Sequence, residues 1–453
     1  MQRKRSLGRR AALGCGGLIV LLILLALAAY GILHFVGGRR AQRALAPLKA
    51  SGAPTTWEEV IPPRVPDDQN AALLYEEAFA AFALSDWSRG TLRDYLSAGT
   101  RGERKPLEKA VRSIIADNAH ALLYARQAAD RPKCRFNRNW SDLAWHIQVP
   151  ELSSLKTIAQ LASAEAVLRA DEGDLPRALD AWSLNVSIAD HLESDPMLLG
   201  QLTRYAVIAW AAASLPVVLQ DSGLSPQQCR SLAEPLARIE LRQSFIKSLE
   251  AQRASNLRML HWVRQDPQNL RALVHSGSST PPGRIAAAKR DLLWVGARVV
   301  GPFDDVATLQ SWDEQIALAH KPYRETVGQA HTVRDNIPRY AILTMMYGPY
   351  YHRAAMARDR AGAYVAMMRT GLALAAYRTE FGRYPDTLDR LRKALEWEVP
   401  EDPFSGDDSV YRREGTGYVL YSLGQDLDDD GGKRVGGNPK DALDGDIVWR
   451  QAR

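Results

Sequence analysis

Three cysteines in 453 residues are too few for a disulfide framework, and Cys15, Cys134 and Cys229 lack the CxxC spacing of a zinc or redox site. Two readings stay open for the last two: a single Cys134–Cys229 bridge, or a pair of buried thiols. Catalytic signatures are missing as well. There is no phosphate loop, no GxGxxG after a strand, no HExxH and no GxSxG. The nine histidines are scattered, and none lies in sequence beside both a nucleophile and a carboxylate. His146 and His191 fall near apolar helical faces, where a hydrogen-bonded core histidine is expected.

Acid is absent from residues 1–43, which hold Arg3, Lys4, Arg5, Arg9, Arg10, Arg39, Arg40 and Arg43. These eight basic residues account for the net charge of +6, because the remaining 410 residues carry 50 Lys and Arg against 52 Asp and Glu. A basic excess confined to the flanks of one apolar segment marks a membrane partner and argues against nucleic acid.

That segment, residues 11–36, is 26 residues without a charge, and about 20 apolar residues span a bilayer as a helix. A transmembrane anchor is predicted. The rival is a cleaved signal peptide, with Ala26, Ala28 and Ala29 as small residues for a peptidase, but the apolar run continues through Ile32 to Val36. Five basic residues precede the span, and Arg39, Arg40, Arg43 and Lys49 follow it. The count places the N-terminus inside and the bulk of the chain outside the cytoplasmic (inner) membrane as a single-pass protein. No later stretch reaches 18 uncharged apolar residues.

The expected order is a basic tail (1–10), the span (11–36), a Pro-rich spacer (37–66), an α-helical domain (67–349) with a surface loop at 276–283, and a long helix plus a small α+β module (350–453). Five prolines between Pro47 and Pro66 predict an extended chain there. Beyond it the period is helical, with Leu155, Ile158, Leu161, Ala162 and Leu168 on one stripe. Ser225-Pro226 with Gln228 is a capping box. Residues 155–182 resemble one tetratricopeptide helix pair, with a turn at Gly173-Asp174. No second copy follows at that spacing, so an irregular helical array is predicted.

After Tyr377 the period changes. Residues 410–413, 418–422 and 447–450 read as three antiparallel strands. Between the last two, Asp426, Asp428 and Asp430 alternate ahead of Gly431-Gly432, and Asp441, Asp444 and Asp446 follow. Carboxylates at every second position repel unless a cation gathers them, and hard oxygen ligands beside a glycine bend suit calcium. The other reading is a solvated acidic turn. Asp426-x-Asp428-x-Asp430-Gly431 fits the opening of an EF-hand, but position twelve is Gly437 where a bidentate glutamate is required, so an EF-hand is excluded.

Several ordered residues in this region are Leu374-Ala375-Ala376-Tyr377, Phe381-Gly382-Arg383-Tyr384-Pro385, Asp402-Pro403-Phe404, Tyr421-Ser422-Leu423-Gly424 and Asp444-Gly445-Asp446-Ile447. Over about 80 residues they resemble the soluble domain of the major pseudopilin of type II secretion. The resemblance implies a calcium ion in the loop, with Asp426 and Asp446 as acidic ligands and a backbone carbonyl near Leu423; spacing alone adds Asp428, Asp430 and Asp444. The chain departs from that family in two ways: about 310 residues separate the anchor from the matching helix, and the span has no acid.

The fold class expected is therefore mainly α, with a transmembrane helix, a tetratricopeptide-like helical domain and a small α+β module. The expected function is a non-enzymatic envelope scaffold with a protein partner. The alternatives are a component of a secretion or pilus-like apparatus, and an envelope hydrolase whose site forms only in the fold.

Overall fold

The computed structural model describes residues 2–98, 100–144, 146–274, 284–329, 333, 335–347, 352–433 and 445–451, without the side chains of residues 2–17, 19, 274, 284–288 and 290. The expected surface loop at 276–283, Gly348 to Tyr351, Asp441 and Asp444 lie outside the described residues.

Helix makes up 68% of the structure, and three antiparallel strands form one small sheet, which puts the chain in the mainly α class. Helix α1 (Gln2–Ser51) carries the apolar run. It is long and apolar enough to cross a membrane, with a mean hydropathy of 2.4. The helix continues through the first part of the expected spacer to Ser51. Pro47 sits near its end, where a missing N–H removes only one intrahelical bond. Gly52 (φ +74°) stops it, as Ala53 N–H closes back on Leu48 O at 3.0 Å.

In chain order there follow α2 (Ala71–Ala80), α3 (Asp86–Ser97), α4 (Arg101–Arg104), α5 (Glu108–Asp117), α6 (Ala119–Ala129), α7 (Pro150–Asp171), α8 (Leu175–His191), α9 (Leu198–Leu219) and α10 (Pro226–Ala237). Next come α11 (Leu241–Gln265), α12 (Pro267–Val274), α13 (Arg284–Val299), α14 (Gly301–Ala319) and α15 (Tyr323–Thr326). The chain closes with α16 (Ile342–Tyr347), α17 (His352–Phe381), α18 (Leu388–Leu395), β1 (Val410–Glu414), β2 (Gly417–Ser422) and β3 (Ile447–Gln451).

The chain forms two compact units. One comprises Met1–Val60, Gln252–Gln315 and His331–Tyr350. Its apolar centre joins Met259, Leu260, Val263, Leu270, Ala297 and Leu343. Asp304, fully buried, accepts the Leu343 and Thr344 N–H groups at the start of α16; burial pushes its carboxyl above the ordinary range.

The other unit comprises Ile61–Ala251, Ile316–Ala330 and Tyr351–Arg453. Helices α7, α8 and α9 pack on one another. The turn between α7 and α8 follows the sequence: Gly173 takes φ +82°, and Asp174 caps α8 by accepting Arg177 N–H at 3.3 Å. A buried polar chain then joins three helices, with Asn185 Nδ2 donating to Ser163 Oγ (2.8 Å) and Ser163 Oγ donating to Trp210 O (3.1 Å). Trp182 Nε1 donates to Ala211 O at 3.0 Å. The predicted α7 stripe is buried, and Glu165 is buried with it, neutralised by Arg126 at 2.7 Å.

Helix α17 packs on α9, α10 and α18 and carries β2 on its surface. Its residues Ala361, Met368, Leu372 and Ala376 share one core with Leu155, Ile158 and Leu161 of α7. The sheet order is β1-β2-β3, antiparallel throughout, with Val410 opposite Tyr421 and Ser422 opposite Ile447. At the hairpin, Gly415 adopts φ +58°, the left-handed turn that glycine permits.

Candidate metal centre

Strand β2 delivers the chain to Leu423, whose side chain packs on the Val419, Tyr421 and Val448 cluster, so only its carbonyl could serve a cation. Gly424 (φ +77°) follows. A Cβ there would stand 2.7 Å from Gly445 O, so the two ends of the loop approach one another only because this residue has no side chain. Leu427 takes φ +66° and Gly431 φ +70°, so the loop between them is tightly curved.

The curvature brings Asp426, Asp428 and Asp430 together. One carboxylate oxygen from each lies within 4.8 Å of the other two. Ligands at about 2.3–2.6 Å from one calcium ion are separated by no more than about 5 Å, so the three are within reach of a shared ion. Asp426 accepts Gly445 N–H through Oδ2, and its Oδ1 is shut away from solvent with no hydrogen-bond partner.

Asp446 is 1% exposed and sits at the start of β3. Its Oδ2 accepts Gly432 N–H at 2.7 Å, and its Oδ1 has no hydrogen-bond partner. Burial, followed by the charges of Asp429 and Asp430, pushes its carboxyl above the usual range, although the Gly432 N–H holds it back in part. The group within 4.8 Å is Asp426, Asp428 and Asp430; Asp446 is turned to Gly432, and Asp444 lies outside the described residues. Asp429, out of step with the alternation, accepts Tyr421 O–H (2.9 Å) and Gly431 N–H (2.8 Å) and holds the loop to β2.

Asp402, outside the acidic loop, is a further buried carboxylate. It is 1% exposed, accepts Ser422 Oγ–H at 2.7 Å and Phe404 N–H at 3.2 Å, and leaves Oδ2 unpartnered. The Asp-Pro-Phe turn was its only local signal.

A second feature had no local signal at all. A cleft of about 510 Å³ beside β3 is lined by Arg101, Arg104, Arg360, Arg450, Tyr95 and Trp449, among others. Most of this positive charge is committed within the protein. Arg104 forks onto Asp171 at 2.9 and 3.0 Å, Arg101 donates to the Asp171 carbonyl, and Arg450 Nε lies 3.7 Å from Glu414. What remains is a polar concavity of small-molecule size with little excess charge.

No family model, curated protein or solved structure matches this chain.

The histidines behave as spacing suggested only in part. His191 is buried, accepts Tyr75 O–H on Nδ1 (2.9 Å) and donates Nε2–H to Arg131 O (2.8 Å), and burial lowers its pKa. His146 is exposed. His261 lies 3.3 Å from Asp305, but its ring is 63% exposed and the carboxylate is held by Arg264 at 2.7 Å. Cys134 and Cys229 are both free thiols.

Proposed function

We propose that this chain is a membrane-anchored envelope protein, a non-enzymatic scaffold or binding protein whose C-terminal corner is held by calcium. The observation that carries the reading is the convergence of Asp426, Asp428 and Asp430 within 4.8 Å beside the buried, unpartnered Asp426 Oδ1. Three carboxylates at that distance repel, and a divalent ion converts the repulsion into a clamp on the loop that follows β2. Asp426, Asp428, Asp430 and the Leu423 carbonyl are the ligands proposed, with Asp446 joining if it releases Gly432. The helix and three antiparallel strands support the pseudopilin-like reading of residues 350–453. The exposed apolar face of α1 supports the anchor, with the N-terminus inside and the bulk of the chain extracytoplasmic. The cleft beside β3 offers a concave surface for a partner.

The test uses the full chain in detergent micelles. Calcium at 100 times its Kd is expected to add about 2.7 kcal/mol of stability, and chelator to remove it. The Asp426→Ala, Asp446→Ala double variant should melt alike in both. An unchanged melting temperature for the native chain with and without chelator rejects the metal.

A further inference from the structure

We infer that the unit containing α1 rests a basic and aromatic collar on the phospholipid surface, with Leu292 and Val295 of α13 turned into it. This rests on the anchor reading and adds a second membrane contact.

The apolar side chains of α1 stay exposed as far as Phe35, which is 62% exposed. Within one turn of Phe35 the helix meets the rest of its unit. His34 Nε2–H donates to Arg298 O at 3.1 Å, at the end of α13. Gly37 lies so close to the start of α14 that a Cβ would stand 2.8 Å from Pro302 Cβ and 3.0 Å from the Phe303 ring. The end of α13 is therefore fixed at the level where the apolar run stops.

Cations and rings alternate at that level. The Arg39 guanidinium lies over Phe35 at 4.7 Å, Arg40 over Phe303 at 5.6 Å, and Arg298 over Trp294 at 5.4 Å. Tyr340 meets Phe303 edge-on at 6.2 Å. Rings with apolar bodies, next to guanidinium groups that bind phosphate, are the side chains a membrane–water boundary favours.

Helix α13 has a fixed inner face. Trp294 Nε1 donates to Val263 O at 2.9 Å, and Ala297 is fully buried. Its outer face carries Leu292, 74% exposed, and Val295, 49% exposed, three residues apart and so on one side of the helix. Scattered exposed apolar residues are ordinary. His34 fixes the end of α13, and Leu292 lies six residues before Arg298, about 9 Å of helix from the level where the apolar run stops.

The test places an environment-sensitive fluorophore on Leu292→Cys in the full chain, in nanodiscs of phosphatidylcholine and phosphatidylglycerol. Cys15→Ser and Cys134→Ser remove the competing thiols, since Cys229 is fully buried and unreactive. Leu24→Cys, inside the apolar run, is the reference. Nitroxide-labelled lipid is expected to quench both positions, with a blue-shifted emission at each. Quenching at Leu24 but only aqueous iodide quenching at Leu292 overturns the inference and leaves the anchor standing. Aqueous quenching at both positions overturns the anchor reading and this inference with it.

Discussion

Helices α1 and α9 are both long and apolar enough to cross a bilayer, yet the structure treats them in opposite ways. The apolar stretch of α1 has a mean hydropathy of 2.4 and is 6% buried; that of α9 has 1.5 and is 61% buried. Within α9, Arg204 is fully buried. Its guanidinium donates to Ala189 O at 2.8 Å, to Glu240 O at 3.1 Å and to Ser244 Oγ at 2.9 Å. Hydropathy reports the gain on leaving water and does not distinguish lipid from a protein core. The arginine makes the distinction, because neighbouring helices supply carbonyl acceptors that hydrocarbon lacks.

The strongest way to break this comparison is Arg204→Ala. It removes a buried guanidinium that donates to Ala189 O, Glu240 O and Ser244 Oγ, and should cost about 3–5 kcal/mol in denaturant unfolding of the full chain in micelles. A cost below about 1 kcal/mol would mean that α9 does not depend on its polar ties. Gly371→Ala comes next. Its Cβ would stand 2.7 Å from Trp449 Cζ3, with Leu219 of α9 at 3.8 Å, so overpacking should cost about 1–3 kcal/mol in the same measurement.

Two titrations sharpen the contrast inside the buried unit, with smaller effects. Burial lowers the folded pKa of His191, so below about pH 6.5 the unfolded ring takes a proton that the folded ring refuses. Stability should fall as pH drops through that value, and His191→Gln should flatten the decline. Asp446 has the opposite sign. Its folded carboxyl titrates above its ordinary value, so its contribution is present below about pH 4 and is lost as pH rises through the raised value. In chelator, Asp446→Asn should therefore remove a loss of stability on going from acid to neutral pH. The smallest effect belongs to α1: Leu24→Ala, with an exposed side chain, should stay within about 0.5 kcal/mol of the native chain.

Local chemistry was readable residue by residue. Ser225 and Gln228 form the capping box at α10, and the Gly173-Asp174 turn stops α7 and caps α8. The three strands begin and end within a residue of where their apolar runs predict. The alternation of Asp426, Asp428 and Asp430 foretold that they could face one way, since alternate residues in an extended segment share a side. The orientation of Asp446 was not readable, because Gly432 N–H, which donates to it, lies across the loop. The same limit hid the fork of Arg138 onto Asp195 and its contact with Glu151, partners 57 and 13 residues away. The continuation of α1 past Pro47 was missed for a local reason, because a proline near a helix end forfeits little.

By itself the sequence determined the apolar run, the helical and strand periods, the stopping glycines and the spacing of the acidic residues, all of which follow from backbone sterics and side-chain period over a few neighbours. Only the tertiary structure decided which apolar helix is enclosed by protein, which carboxylates converge, and where α13 meets α1. Those outcomes depend on contacts between segments tens to hundreds of residues apart, whose free energy no short stretch of chain encodes.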